Sequence, residues 1–327
     1  MKSPKLLRRT LLASLLAFAA SWQTPALADW PDRPIRMVWP FASGGMGASL
    51  ARILAEGLTQ ELGQPVYVEA KPGGGGILAF QFTKSATPDG YTIMLGTNST
   101  STLVPSINKN LPFDPTRDFE HVAMVYVGGN AVVVRADSTI KDFADLRAQA
   151  KANPGKLTYG SAGNGTTFHL MPAMFDLING SKMVHVPYKG GAPAFMGLLG
   201  GETSVVFGDL SSLPHVQAGK MRALAVMSPK RLDAAPDIPT TAELGMPELV
   251  MESFYGVFAP LGTPRPILEK LNKATAAVLA MPSVQQQLKT LSMQAAPDTS
   301  AKYFADKIRS ETARWKPVID KSGITSE

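Results

Sequence analysis

The pattern that most restricts this chain is a strand that runs into a glycine-rich turn and then into a helix, and it occurs twice. In the first copy Ile35 to Trp39 alternates apolar residues with Arg36 and stops at Pro40. Ser43-Gly44-Gly45-Met46-Gly47 can turn tightly and leave backbone N–H groups open. From Ala48, the apolar positions Leu50, Ala51, Ile53, Leu54 and Leu58 fall at helical spacing. Loop N–H groups beside the positive end of a helix form an anion site, and a carboxylate is the anion expected here. The alternative is an ordinary βα turn whose glycines serve only backbone geometry. The second copy runs from Leu157-Thr-Tyr159 through Gly160-Ser-Ala-Gly-Asn-Gly-Thr-Thr167 into a helix from Phe168.

The intervening chain continues the alternation. Strands are expected at Pro65 to Glu69 and Tyr91 to Leu95, with a helix from Ile77 to Ser85 between them. A β-α-β-α-β order predicts a parallel sheet covered by helices. Gly96-Thr-Asn-Ser-Thr-Ser-Thr102 follows the third strand, on the rim where open α/β sheets bind ligands. Further strands are expected at Val122 to Val127, Ala131 to Arg135, Met183 to Val186, Ser204 to Phe207 and Ala223 to Val226. The chain crosses to a second unit at Gly128-Gly129 and returns through Phe254-Tyr-Gly-Val-Phe258 to a helical tail. Two units joined in this way predict a cleft between two lobes. Residues 29–128 with 254–327 form the first lobe and 129–253 the second.

Charge and cysteine content narrow the function. The 327 residues are 45% hydrophobic and 18% charged, in the range of a globular protein with a sizeable core. Lys2, Lys5, Arg8 and Arg9 precede an apolar run from Leu11 to Ala20 and then Ala26-Leu27-Ala28. This is the layout of a signal peptide cleaved after Ala28, and Arg8-Arg9 also fits twin-arginine export. Removing four basic and no acidic residues takes the formal charge from +6 to +2. The basic balance is therefore mostly a targeting signal, and nothing calls for nucleic acid. The absence of cysteine excludes disulfides, thiol catalysis and cysteine-ligated metal. A periplasmic location follows.

The remaining motifs point to binding rather than catalysis. Gly74-Gly75-Gly76-Ile77-Leu78-Ala79 matches a degenerate dinucleotide turn, but no acid ends the next strand, so a tight turn is the better reading. The four histidines show no paired metal-ligand spacing, and no nucleophile elbow occurs. No cofactor is implied. Asn98, Ser99, Thr100 and Ser101 can donate to a carboxylate or serve as turn and cap residues. His169 can face the cleft from the first turn of its helix, or be an ordinary helix histidine. Asp209, ending a strand, can accept from a ligand hydroxyl or ammonium, or cap the turn that follows. Trp39, Phe41, Tyr188 and Phe254 can wall a pocket or belong to the core.

In order and spacing the chain resembles the Bug family, the extracytoplasmic solute receptors of tripartite tricarboxylate transporters. The resemblance rests on Pro40-Phe41 with Gly44-Gly45 and Ala51-Arg52, Lys71-Pro72-Gly73 with Gly75-Gly76, and Pro88-Asp-Gly-Tyr91 with Gly96-Thr-Asn98. Further on it rests on Leu111-Pro-Phe-Asp-Pro115, Ser161-Ala-Gly-Asn-Gly-Thr166, His185-Val-Pro-Tyr-Lys-Gly-Gly-Ala-Pro193 and Arg222-Ala-Leu-Ala-Val226. It implies an α/β, two-lobed type II periplasmic binding-protein fold that closes on a small carboxylate. In such proteins the two glycine turns meet the ligand. Here they correspond to Phe41, Ser43, Gly44, Gly45, Met46, Gly47 and Ala48, and to Ser161, Ala162, Gly163, Thr166 and Thr167. The family commonly has an aspartate where this chain has Ala48, which favours a plain or aromatic carboxylate over an amino acid. The implied role is delivery to membrane permease subunits, by a monomer and without chemistry on the ligand. The competing functions are a ligand-sensing partner of a membrane signalling protein and an exported α/β enzyme.

Overall fold

A computed structural model describes residues 30–322, apart from Lys109 and Ala234. The expected signal peptide lies outside the described residues. The first strand, β1 (Ile35–Trp39), buries Ile35, Met37, Val38 and Trp39, as a strand covered on both faces must. It leads through the glycine turn into α1 (Gly45–Leu62), whose Leu50, Ala51, Leu54 and Leu58 are inaccessible or nearly so. β2 (Val66–Ala70), α2 (Ile77–Lys84) and β3 (Thr92–Thr97) complete a βαβαβ unit. β3 runs into a one-turn π-helical segment (Ser99–Leu103) and the short α3 (Val104–Ile107).

The second unit repeats this plan. β6 (Thr158–Ser161), α5 (Thr167–Asn179), β7 (Val184–Pro187), α6 (Gly191–Leu199) and β8 (Val205–Asp209) follow β4 (Phe119–Gly128), β5 (Asn130–Arg135) and α4 (Phe143–Ala152). Then come α7 (Leu213–Gln217), β9 (Met221–Val226) and the return strand β10 (Ser253–Pro260). The chain ends with α8 (Arg265–Ala280), α9 (Pro282–Thr290) and α10 (Ala301–Ser322).

Each unit is built on one five-stranded sheet, of order β2-β1-β3-β10-β4 in the first and β7-β6-β8-β5-β9 in the second. β1 lies parallel between β2 and β3, and β6 parallel between β7 and β8. The glycine turns after β1 and β6 therefore both open at switch points, where successive connections leave to opposite sides and a crevice forms. The sheets are mixed rather than parallel throughout. β10 runs antiparallel to β3 and β4, and β5 antiparallel to β8 and β9. The antiparallel strands are those by which the chain crosses between sheets, and a strand arriving from the other sheet needs no helical crossover.

The two crossings are tied together at Asn130, which is fully buried. Its amide donates to the Met251 carbonyl at 2.7 Å, and its side-chain oxygen accepts from the Ser253 hydroxyl at 2.9 Å. Outside the cleft, an aromatic core fills one face of the first sheet, with Phe80 stacked on Phe113 and edge-on to Phe119 and Phe258. Phe254 belongs to that core, against Phe304.

Candidate functional site

Turns of the two units meet across the gap between the sheets, the one after β1 against the one after β7 and the one after β2 against the one after β6. The Ala42 N–H donates to the Lys189 carbonyl at 3.1 Å. A Cβ on Gly45 would stand 3.3 Å from the Ala192 Cβ, and one on Gly75 only 2.5 Å from the Asn164 carbonyl oxygen. The glycines of the Gly74–Gly76 turn thus permit close approach of the second unit, consistent with the tight-turn reading. At the centre remains a cavity of about 40 Å³. One water needs roughly 10–15 Å³ of such space, so the cavity is narrow between the closed lobes.

The cavity is walled by Trp39, Phe41, Phe168 and Tyr255, and its ends are backbone. From the first lobe come Gly44 to Gly47, opening α1, with Thr97 to Ser99 beside them. From the second come Ala162, Thr167 and Gly190 to Pro193, opening α6. Neither α1 nor α6 carries a side-chain N-cap. Their first N–H groups have no intrahelical acceptor, and both helix starts line one cavity from opposite lobes. Among the described residues, no Lys, Arg or His lines the cavity.

Asp209 is the one ionisable carboxylate in the lining, at 7% exposure. It caps the turn after β8, accepting on Oδ1 from the Ser211 N–H at 3.0 Å and the Ser211 hydroxyl at 2.5 Å. Its Oδ2 faces Gly191, 3.7 Å from where a Cβ there would sit. Burial pushes its pKa up against the pull of the two Ser211 hydrogen bonds.

Of the residues singled out from sequence, Phe41, Gly44, Gly45, Met46, Gly47, Asn98, Ala162, Thr167 and Asp209 line this cavity. Ser43, Ala48, Thr100, Ser161, Gly163, Thr166 and His169 do not. Ser43 is exposed and Ala48 is buried inside α1. The Thr100 hydroxyl donates to the Thr97 carbonyl at 2.9 Å, within its own segment. The other four form a scaffold behind the second turn. The Gly163 N–H donates to Ser161 Oγ at 3.1 Å, and the Thr166 hydroxyl to the Gly163 carbonyl at 2.7 Å.

Behind them stand two imidazoles. Ser161 Oγ lies 2.6 Å from His185 Nε2, and the Gly165 N–H donates to His169 Nδ1 at 3.1 Å. The rings of His169 and His185 stack at 4.0 Å. Burial, and then the neighbouring His169, holds His185 down to about 4, and burial lowers His169. No sequence spacing announced this Ser–His pair. Ser161 is fully buried and its oxygen already accepts from Gly163, an arrangement that holds a turn rather than attacks a substrate.

Sequence reasoning missed the Gly190–Pro193 turn and Tyr255. The first had a signal, since Tyr188-Lys-Gly-Gly191 after a strand repeats the glycine logic of the other turns. Tyr188 itself turns away, with its hydroxyl on Glu202 at 2.7 Å.

Two α/β lobes that share a double crossing and flank a small cavity define the architecture of the periplasmic two-lobed binding proteins. The model of the tripartite tricarboxylate transporter family receptor, TctC, matches residues 50–324. The chain belongs to that family and is a periplasmic solute-binding receptor. It is 34% identical to Protein BugT of Bordetella pertussis over 308 residues, covering 91% of this chain and 92% of BugT. Among solved structures, the periplasmic binding protein BugD superposes with a TM-score of 0.87 at 33% identity, over 90% of this chain and 99% of BugD. MatC from Rhodopseudomonas palustris with bound malate gives 0.86 at 28% identity, over 89% of this chain and 100% of MatC. A second R. palustris protein, solved with adipate, gives 0.86 at 32% identity, over 90% and 99% of the two chains.

Proposed function

We propose that the cavity receives a small carboxylate and that the closed form hands it to the permease of a tripartite transporter, the chain acting as a monomer. The observation that carries this reading is the pair of uncapped helix N-termini, α1 and α6, converging on one cavity with no basic side chain between them. Oriented N–H groups in a closed site can replace the hydration of an anion without a countercharge. The malate and adipate held by two structural neighbours support a carboxylate here as well. The lobes must part for entry, and a ligand that touches both favours the closed form over the open one.

A thermal-shift screen of mono-, di-, tricarboxylic and aromatic acids tests the reading. At least one is expected to raise the melting temperature and to bind in the micromolar range or tighter, about −8 kcal/mol or better. Stabilisation by none of them would overturn it.

A further inference from the structure

Two polar groups in the cleft have no partner among the described residues. One is Asp209 Oδ2, since the Ser211 N–H and hydroxyl both go to Oδ1. The other is the hydroxyl of Tyr255, a residue that is also 7% exposed and lines the same cavity. Asp209 raises the Tyr255 pKa through space, in addition to the larger effect of burial. Polar groups on residues this little exposed ordinarily find a hydrogen-bond partner, so both are available to a ligand. They come from different sheets, Asp209 from the end of β8 and Tyr255 from β10, and both residues line the one cavity.

We propose that Asp209 and Tyr255 form a subsite for a hydroxyl group on the carbon chain of the ligand, making this a receptor for hydroxycarboxylates. The inference rests on the carboxylate reading above and names the class within it. A hydroxyl has one donor and two acceptor lone pairs. Its hydrogen meets Asp209 Oδ2, and its oxygen accepts from the Tyr255 hydroxyl. An ammonium has three donors and no acceptor, so the Tyr255 proton finds no partner on it. A second carboxylate placed there would meet Asp209 as a like charge in a site without Lys, Arg or His. The first turn contributes no acid, because no Asp or Glu occurs from Phe41 to Ala48. Recognition of the substituent therefore passes to the second lobe and the return strand. This departs from the preference for a plain carboxylate that Ala48 alone suggests.

Calorimetry with succinate, malate and aspartate tests the subsite, because the three share one four-carbon skeleton and differ only in the substituent. Any carboxylate found by the thermal-shift screen is compared in the same way with its hydroxyl and amino counterparts. The wild type is expected to bind the hydroxyl member at least tenfold more tightly than the bare one, and more tightly than the amino one. Asp209→Asn keeps a competent turn cap and Tyr255→Phe keeps the ring, so both should fold. Each is expected to shrink the hydroxyl preference, read as the ratio of the hydroxyl to the bare acid within each variant, to within about threefold. Equal affinity for the bare and hydroxyl acids in the wild type would overturn the subsite, as would a preference unchanged in both variants. An amino member that binds most tightly and depends on Asp209 alone would replace the hydroxyl by an ammonium. If no carboxylate binds the wild type at all, the carboxylate reading fails first, and that outcome is distinct from the others.

Discussion

A methyl group added to Gly47 would sit 2.1 Å from the far edge of the Trp39 indole, which is 4% exposed and walls the cavity. The residue lies in the first turn of α1, so the conflict is steric. Gly47→Ala is expected to displace the indole, to cost about 1–3 kcal/mol of stability, and to weaken ligand binding by tenfold or more. Chemical denaturation and calorimetry would measure the two effects. A variant with wild-type affinity would show that the Trp39 wall does not shape the site. At this scale the sequence was legible where backbone chemistry ruled. Glycines after a strand marked the turns, and five of the seven residues named in the first turn do line the cavity. It was not legible where two neighbours compete for one face. Phe254 and Tyr255 are both buried aromatics, and only strand pairing puts Phe254 into the aromatic core and Tyr255 into the cleft.

Among elements, α5 shows how the lobes are coupled. Its first N–H, on Thr167, donates to Ser99 Oγ of the other lobe at 3.0 Å, and the two hydroxyls lie 3.2 Å apart. Ser99 thus does from across the cleft what an N-cap side chain does within one helix, and only while the lobes are closed. Ser99→Ala is expected to disfavour closure by about 1 kcal/mol and so to weaken ligand affinity about fivefold. Ser101→Ala serves as the control, because the Ser101 hydroxyl donates to Thr97 within its own segment. Equal affinities for the two variants would show that the contact across the cleft does not bias closure. Sequence reasoning placed this hydroxyl-rich segment on the rim and left its hydroxyls open between a ligand and local turn and cap bonds. Most of them satisfy their own π-helical turn, and Ser99 goes to α5. Strand positions were legible because burial on both faces gives apolar runs. The antiparallel sense of β5 and β10 was not, because direction depends on which sheet a strand joins.

For the molecule as a whole, each lobe keeps at least one histidine neutral in its interior, and this sets how stability depends on pH. In the first lobe His121 packs against Phe258 and Phe304. Burial, and then the nearby Arg309 charge, lowers it to about 4, opposed by its hydrogen bond to the Pro115 backbone. Its Nε2 has no partner among the described residues. In the second lobe His185 is likewise held to about 4, stacked between Tyr159 and the lowered His169. The unfolded chain takes up these protons near the ordinary value of 6.5, whereas the folded chain resists them until about 4. Between the two the unfolded state holds more protons, so stability is full above 6.5 and is lost as pH falls toward 4. Asp176 and Asp209, raised by burial, act in the opposite sense, because the folded state keeps their protons longer as pH rises. Asp114 and Asp118, held low by their hydrogen-bond partners, add their loss only further down, below the ordinary carboxylate value of 3.8. The melting temperature is therefore expected to be level above neutrality and to fall by several degrees as pH drops from 6.5 to 4. In His121→Leu the fall should be shallower, because one of the two strongly lowered groups is gone. Melting curves across this range check both statements, and a variant whose profile has the same slope as the wild type would remove His121 from the account.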